Sequence, residues 1–129
     1  MAPPAATRFC FEIRVHPQLL DEYLALHAPV RPEMLEALWS AGRRNYSMFL
    51  AEGARIIGYY ECEDEPAAVA ALAGSDAVAR WNAEMARFFD EAPGAPLAAP
   101  VTFVEVFNLE QQLSEHRSAI VRGAVTRAG

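Results

Sequence analysis

The rest of the chain is organised around one stretch, Asp21-Glu22-Tyr23-Leu24-Ala25-Leu26-His27-Ala28-Pro29-Val30-Arg31-Pro32. It contains the end of one predicted helix, a break and the start of a second predicted helix. Tyr23 and His27 are four residues apart, so on a helix they lie on the same face, one turn apart. Pro29 disfavours helical backbone at the residue before it, so the first helix is predicted to end after His27. Pro32 suits the first turn of a second helix. This pattern predicts a histidine at a helix end that faces a cavity; a partly buried structural Tyr–His pair is the alternative.

Four segments show strand-like apolar patterns, at residues 8–15, 45–50, 56–62 and 101–107. In the first segment, Phe11 and Ile13 fall on one face, whereas Cys10 and Glu12 fall on the other. The second and third segments flank a turn around Glu52-Gly53, which predicts a hairpin.

Apolar residues at helical spacing predict four helices, at residues 17–27, 32–41, 66–73 and 76–89. Leu35, Leu38 and Trp39 are expected to form the apolar stripe of the second helix, with Gly42 as its C-cap. Ser75 or Asp76 is expected to cap the fourth. The remaining segments are predicted to be a flexible leader (1–6), a proline-rich loop (91–100) and a C-terminal tail with at most one frayed helix (110–129).

The order of these elements is β, α(α), β, β, α(α), β, which is the split βαβ pattern of the ferredoxin-like fold. This is an α+β fold in which an antiparallel sheet carries helices on one face. The pattern predicts one domain at residues 7–109. Because an uncovered, partly apolar sheet face usually binds a partner, we also expect a two-fold homodimer.

Composition excludes several classes of partner. The net charge is −6, from 11 basic and 17 acidic residues, whereas nucleic-acid and anionic-membrane surfaces need a basic footprint. No apolar run approaches the about 18 residues of a membrane-spanning helix, and the first residues do not have the pattern of a secretion signal. Cys10 and Cys62 lack metal-ligand spacing and are expected to be small buried or half-buried thiols. We therefore expect a cytoplasmic protein without nucleic-acid or membrane partners.

The sequence contains no standard catalytic or cofactor motif, such as a glycine-rich phosphate loop, a His/Cys metal cluster or a nicotinamide fingerprint. Of three histidines, His27 is the one placed beside aromatic residues. Tyr46, at the start of a hairpin strand, and Trp81, on the last long helix, are candidates for lining a sugar or aromatic site. Plain core packing is the alternative for both.

The residues with a recognisable combined pattern are Asp21-Glu22-Tyr23 with His27, Pro29 and Pro32-Glu33, Asn45-Tyr46, Arg80-Trp81, and Glu105-Val106-Phe107. As a set, covering about residues 7–109, they resemble the L-rhamnose mutarotase family. The resemblance implies a dimeric α/β barrel enzyme of the isomerase class, without metal or organic cofactor, that interconverts the α and β pyranose anomers of L-rhamnose. By the same resemblance, His27 matches the proton donor, and Tyr23, Tyr46, Trp81 and Asn82 match sugar-binding positions.

One position departs from the family pattern. The family commonly has two consecutive tryptophans where this chain has Trp81-Asn82. Asn82 offers hydrogen bonds where an indole offers an apolar wall, so the preferred sugar stays open. Two other functions also stay open: a small cofactor-free oxygenase or isomerase acting on an aromatic or apolar ligand, and a non-enzymatic ligand-binding or interaction domain on the same dimeric fold.

Overall fold

Four antiparallel strands and five helices make up the computed structural model, which describes residues 6–89 and 100–128. The strands are β1 (Thr7–Arg14), β2 (Arg44–Ala51), β3 (Arg55–Cys62) and β4 (Val101–Phe103). The helices are α1 (Leu20–Leu26), α2 (Pro32–Ala41), α3 (Glu65–Ala73), α4 (Asp76–Met85) and α5 (Leu109–Ala128). Turns of 3₁₀ helix at Pro17–Leu19 and Ala86–Phe88 precede α1 and follow α4.

The sheet has the strand order β2-β3-β1-β4. Its central strands β1 and β3 pair along their whole length, from Thr7 opposite Cys62 to Arg14 opposite Arg55. The two βαβ units therefore interleave, and the predicted ferredoxin-like α+β fold is confirmed.

The core lies between the helices and one face of the sheet. It is formed by apolar and aromatic side chains from β3, from α1, α2 and α4, from the 3₁₀ turn after α4 and from the residue after β1: Val15, Tyr23, Met34, Ile56, Val78, Trp81, Met85 and Phe88. Burial of each large apolar side chain contributes about 1.5–3 kcal/mol. Because α1, α2 and α4 all contribute to this cluster, the core holds these three helices in fixed positions on the sheet.

The helix ends follow the local sequence. Gly42 takes a left-handed conformation with φ of 106°, and its N–H caps α2, as predicted. The Ser75 hydroxyl accepts a hydrogen bond from the Val78 N–H at 3.3 Å, so the predicted cap of α4 is also confirmed. Cys10 is half-buried and Cys62 is buried, both as free thiols.

The predicted apolar stripe of α2 is partly wrong. Met34 is the buried residue of this helix, with 8% of its surface exposed, whereas Leu35 and Trp39 are 50% and 61% exposed. The helical period gives the angular spacing of the side chains, but the face that packs is set by the neighbouring elements.

The last strand is shorter than predicted, ending at Phe103 instead of residue 107. Beyond that point Val104 and Val106 are 85% and 90% exposed, so among the described residues their strand-like pattern has no surface to pack against. Glu105 still reaches Arg8 of β1, with Oε1 and Nη2 2.8 Å apart.

The predicted C-terminal tail is one helix, α5, of 20 residues. The Asn108 side chain caps it by accepting a hydrogen bond from the Gln111 N–H at 2.8 Å. From Leu109 to Gly123 the side chains are exposed except Leu113, which is half-buried, as expected for a segment without a packing stripe. The predicted leader and the predicted loop lie outside the described residues, apart from Ala6 and Pro100. Within the described ranges, no helix is both long and apolar enough to cross a membrane.

Candidate active site

His27 is the C-cap of α1, where the helix ends as predicted ahead of Pro29. The ring atom Nδ1 lies 2.7 Å from the backbone oxygen of Tyr23, one turn earlier. Because a carbonyl oxygen only accepts hydrogen bonds, Nδ1 carries a proton and donates it there. This leaves Nε2 as the ring atom that is able to exchange a proton with a ligand. The peptide bond between Ala28 and Pro29 is cis.

Aromatic rings fix the position of the His27 imidazole. Its centroid lies 4.2 Å from that of the Tyr23 ring and 5.2 Å from that of Trp81, which it meets edge-on at 82°. The Tyr23 ring in turn packs edge-on against Phe88, with the centroids 5.5 Å apart. Since Tyr23, Trp81 and Phe88 are all buried in the core, the imidazole is held by rigid neighbours.

A cavity of about 560 Å³ opens beside His27, between α1, α2, α4 and the sheet. Such a volume is typical of small-molecule sites. The structure brings all five sequence-predicted residues together in its wall, namely Tyr23, His27, Tyr46, Trp81 and Asn82. The other lining residues are Phe11, Ile13, Val30, Met34, Leu35, Leu38, Trp39, Arg43, Asn45, Met48, Met85 and Phe89. The wall is therefore apolar and aromatic with a few polar groups.

Strand β2 contains a bulge next to Tyr46. The pairing of β2 with β3 shifts between Arg44 and Ser47, where β2 has one extra residue. Asn45 takes up the extra length with a positive φ of 50°. Tyr46 precedes Met48 by two residues, so strand alternation places it on the same side of the sheet as Met48, which packs against the core.

A buried cation that the sequence did not point to completes this wall. Arg43 is 8% exposed and forms an ion pair and hydrogen bond with Glu65. Its guanidinium lies 4.0 Å from the centre of the Tyr60 ring, and the Tyr60 hydroxyl donates to Glu65 at 2.9 Å. The Tyr60 ring lies 5.2 Å from that of Tyr46. Arg43, Glu65 and Tyr60 thus form a connected support under Tyr46.

Asn82 occupies the edge of the cavity. It is exposed, whereas the preceding residue Trp81 is 8% exposed. A second cavity of about 440 Å³ adjoins the first, and Arg43, Tyr46 and Asn82 line both. The short asparagine side chain therefore stands where two open spaces meet.

The groups able to move protons in the cavity are few. None of its described lining residues is Asp, Glu, Lys or Cys. Burial raises the pKa of Tyr23 above its usual range, so its phenol keeps its proton at neutral pH and acts as a hydrogen-bond donor. His27 is then the side chain best suited to take up and release protons there. Among the described residues, no group of three or more His, Cys, Asp or Glu side chains is placed to hold a metal ion.

Comparison with known proteins gives a consistent result. A sequence profile described as L-rhamnose mutarotase matches residues 8–109. The L-rhamnose mutarotase of Ligilactobacillus salivarius is 38% identical over 103 residues, which cover 76% of this chain and 93% of that protein. The L-rhamnose mutarotase of Pectobacterium atrosepticum is 35% identical over 96 residues, covering 74% and 88% respectively. Helix α5 lies almost wholly beyond the matched range.

Solved structures support the fold. The crystal structure of the Formosa agariphila L-rhamnose mutarotase superposes with a TM-score of 0.66 at 21% identity, covering 80% of this chain and 98% of that one. A Nitrosomonas europaea protein, named as a candidate antibiotic biosynthesis monooxygenase, superposes with a TM-score of 0.56 at 10% identity, covering 83% and 96%. At these identities the likeness concerns the arrangement of the chain alone.

Proposed function

Because this chain belongs to the L-rhamnose mutarotase family, we propose that it interconverts the α and β pyranose anomers of L-rhamnose or a related sugar by proton transfer through His27. The family membership makes it an isomerase acting on carbohydrates. The observation that best supports the role of His27 is its hydrogen bond from Nδ1 to the Tyr23 carbonyl, because this bond orients the ring and leaves Nε2 for the sugar.

The chemistry needs two proton movements. Ring opening breaks the bond between the anomeric carbon and the ring oxygen. The anomeric hydroxyl loses its proton and becomes the aldehyde oxygen, while the ring oxygen gains a proton and becomes a hydroxyl. Rotation of the aldehyde and the reverse steps close the ring on the other carbonyl face. Imidazole, with an ordinary pKa of about 6.5, suits both donation and removal of protons near neutral pH.

The other predicted residues would hold the sugar. We propose that the Tyr23 and Tyr46 hydroxyls bind sugar hydroxyls, and that the Trp81 ring offers an apolar surface to the sugar C–H groups. The protonated phenol of Tyr23 and the position of all three residues in one cavity support this assignment. Arg43 and Glu65 would act by keeping the Tyr60 and Tyr46 rings in place.

The anomer exchange rate, measured by NMR with and without protein, tests the proposed function. Exchange should be faster with the protein present, and a panel of L-rhamnose, L-fucose, D-glucose and D-galactose should show L-rhamnose or a close relative to be preferred. A rate unchanged by the protein on every sugar would instead favour a binding domain. Oxygen consumption with an apolar substrate would favour an oxygenase.

Asn82→Trp is expected to raise the preference for L-rhamnose over L-mannose, two sugars that differ only at C6. The reason is that Asn82 stands beside open space, where an indole would add an apolar surface for the C6 methyl. Gain or loss of such a contact corresponds to about 1–3 kcal/mol. The measurement is the ratio of exchange efficiencies on the two sugars in both proteins. An unchanged or reversed ratio in a folded variant would show that residue 82 does not face C6.

We further propose a homodimer formed through the bare face of the sheet, in a protein of the cytoplasm. Opposite the helices this face carries Phe49, Val101 and Phe103, which are 63%, 59% and 46% exposed. Such an apolar patch favours self-association, and two free thiols suit a reducing compartment. Sedimentation equilibrium at micromolar concentration should give twice the chain mass. A value of 14.2 kDa would contradict the dimer.

A further inference from the structure

Helix α2 presents an exposed aromatic side chain at the edge of the cavity. Trp39 is 61% exposed, and Leu35, one turn earlier, is 50% exposed. Both line the same cavity as His27. These two side chains extend the apolar wall of the cavity onto the surface, and a contiguous apolar surface of this kind is typical of a ligand-binding groove.

Trp39 is held in one orientation. The Arg44 guanidinium lies 3.5 Å from the centre of its ring. Nη1 of Arg44 donates to two backbone carbonyls, those of Trp39 at 2.9 Å and Arg43 at 2.8 Å. The cation therefore covers part of the indole and fixes it, while the rest stays open. A ring fixed before binding loses less conformational entropy when a ligand stacks on it.

Trp39 lies near the C-terminal end of α2, whereas the N-terminal end of α2 is the one that follows His27 in the chain. His27 comes five residues before α2 begins at Pro32, whereas Trp39 lies in the last turn of that helix. With a rise of 1.5 Å per residue, Pro32 and Trp39 are about 10 Å apart along the helix axis. In a pyranose, C4 lies opposite the anomeric carbon. A group on O4 therefore points away from His27 when the anomeric carbon lies beside it.

We propose that Trp39 and Leu35 form a subsite for a second pyranose ring, joined through O4 of the sugar whose anomers interconvert. This deepens the proposed mutarotase function and rests on it. The substrate class then includes neutral reducing disaccharides with L-rhamnose, or a close relative, at the reducing end. An indole face binds the C–H face of a sugar ring. Among the described lining residues Arg43 is the one Asp, Glu, Lys or Arg side chain, and it is already paired with Glu65, which suits an uncharged partner.

The test compares anomer exchange on L-rhamnose and on 4-O-β-D-glucopyranosyl-L-rhamnose, followed by NMR of the reducing-end anomeric protons. The wild type should accelerate exchange of both. In Trp39→Ala, the ratio of the disaccharide kcat/KM to the L-rhamnose kcat/KM should fall about three- to tenfold, the scale of one aromatic stacking contact. Trp39→Phe, which keeps a ring, should retain most of the ratio. Ile120→Ala, which removes a similarly exposed side chain from α5 (56% exposed), should keep the wild-type ratio.

Each other outcome overturns the subsite. Acceleration of L-rhamnose but not of the disaccharide would refute it while leaving the mutarotase function intact. Acceleration of neither sugar would refute the function on which it rests. An equal loss on both sugars in Trp39→Ala would assign Trp39 a structural role. A change of that variant from dimer to monomer would place Trp39 in an interface between copies of the chain.

Discussion

Replacing His27 with alanine is expected to lower the protein-dependent rate of anomer exchange by about 10²–10⁴-fold, the usual contribution of one general acid or base. No other imidazole, carboxylate or thiol lies among the described lining residues to replace it. The fold should persist, because the His27 side chain is only half-buried and lies at a helix end. Saturation-transfer NMR of the anomeric protons measures the rate, and far-UV circular dichroism verifies the fold.

Tyr23→Phe is the matched control for His27→Ala. It keeps the ring against Phe88 and the backbone carbonyl to which the imidazole donates, and it removes only the hydroxyl. At subsaturating sugar, Tyr23→Phe should therefore lower the rate of anomer exchange less than His27→Ala does. Wild-type exchange in His27→Ala would show that another group transfers the proton, and wild-type exchange in Tyr23→Phe would remove the phenol from the mechanism.

Phe88→Ala is expected to lower the free energy of unfolding by about 3–5 kcal/mol, the usual cost of deleting a buried phenyl ring. Phe88 is 0% exposed, and the Arg87 guanidinium lies 4.1 Å from its ring centre. Its backbone oxygen accepts a hydrogen bond from the His16 N–H at 2.8 Å, which the substitution leaves in place. The destabilisation therefore measures lost packing, including the contact that supports Tyr23.

Urea denaturation at a fixed protein concentration measures this change through the midpoint and the slope of the transition. The control is Ile120→Ala, where the side chain is exposed on α5; substitutions at such positions usually stay within about 0.5 kcal/mol. If Phe88→Ala cost no more than this control, the ring would not be the part of the core that supports the site.

Much of the fold and of the candidate site was predictable because local signals coincided. Pro29 and Pro32 mark the break between α1 and α2, and this break places His27 at a helix end. The four-residue spacing of Tyr23 and His27 gives their ring contact directly. Alternation in the first strand separates Ile13, which packs on the core, from Glu12 on the opposite face.

Features that depend on distant partners were not predictable. Arg43 owes its burial to Glu65, 22 residues away in sequence and on another element, and no local pattern links the two. Strand β4 likewise ends at Phe103 although Val104 favours a strand. Val104 is 85% exposed, and the sequence alone does not tell which side chains will be covered by a neighbour. The exposure of Trp39 follows from which face of α2 meets the sheet, and a helical period alone does not define that face.

The partner that orients His27 belongs to the main chain, and this affects how the protein can change under mutation. Where a side-chain carboxylate orients a histidine, one codon change deletes the partner. Here any residue at position 23 supplies the same carbonyl oxygen. Under the proposed function, random substitutions that abolish proton transfer should therefore concentrate at His27 itself and at the residues that end its helix. Trp39 and Asn82 are then the positions where new sugar preferences can accumulate in evolution or in the laboratory, with His27 left in place.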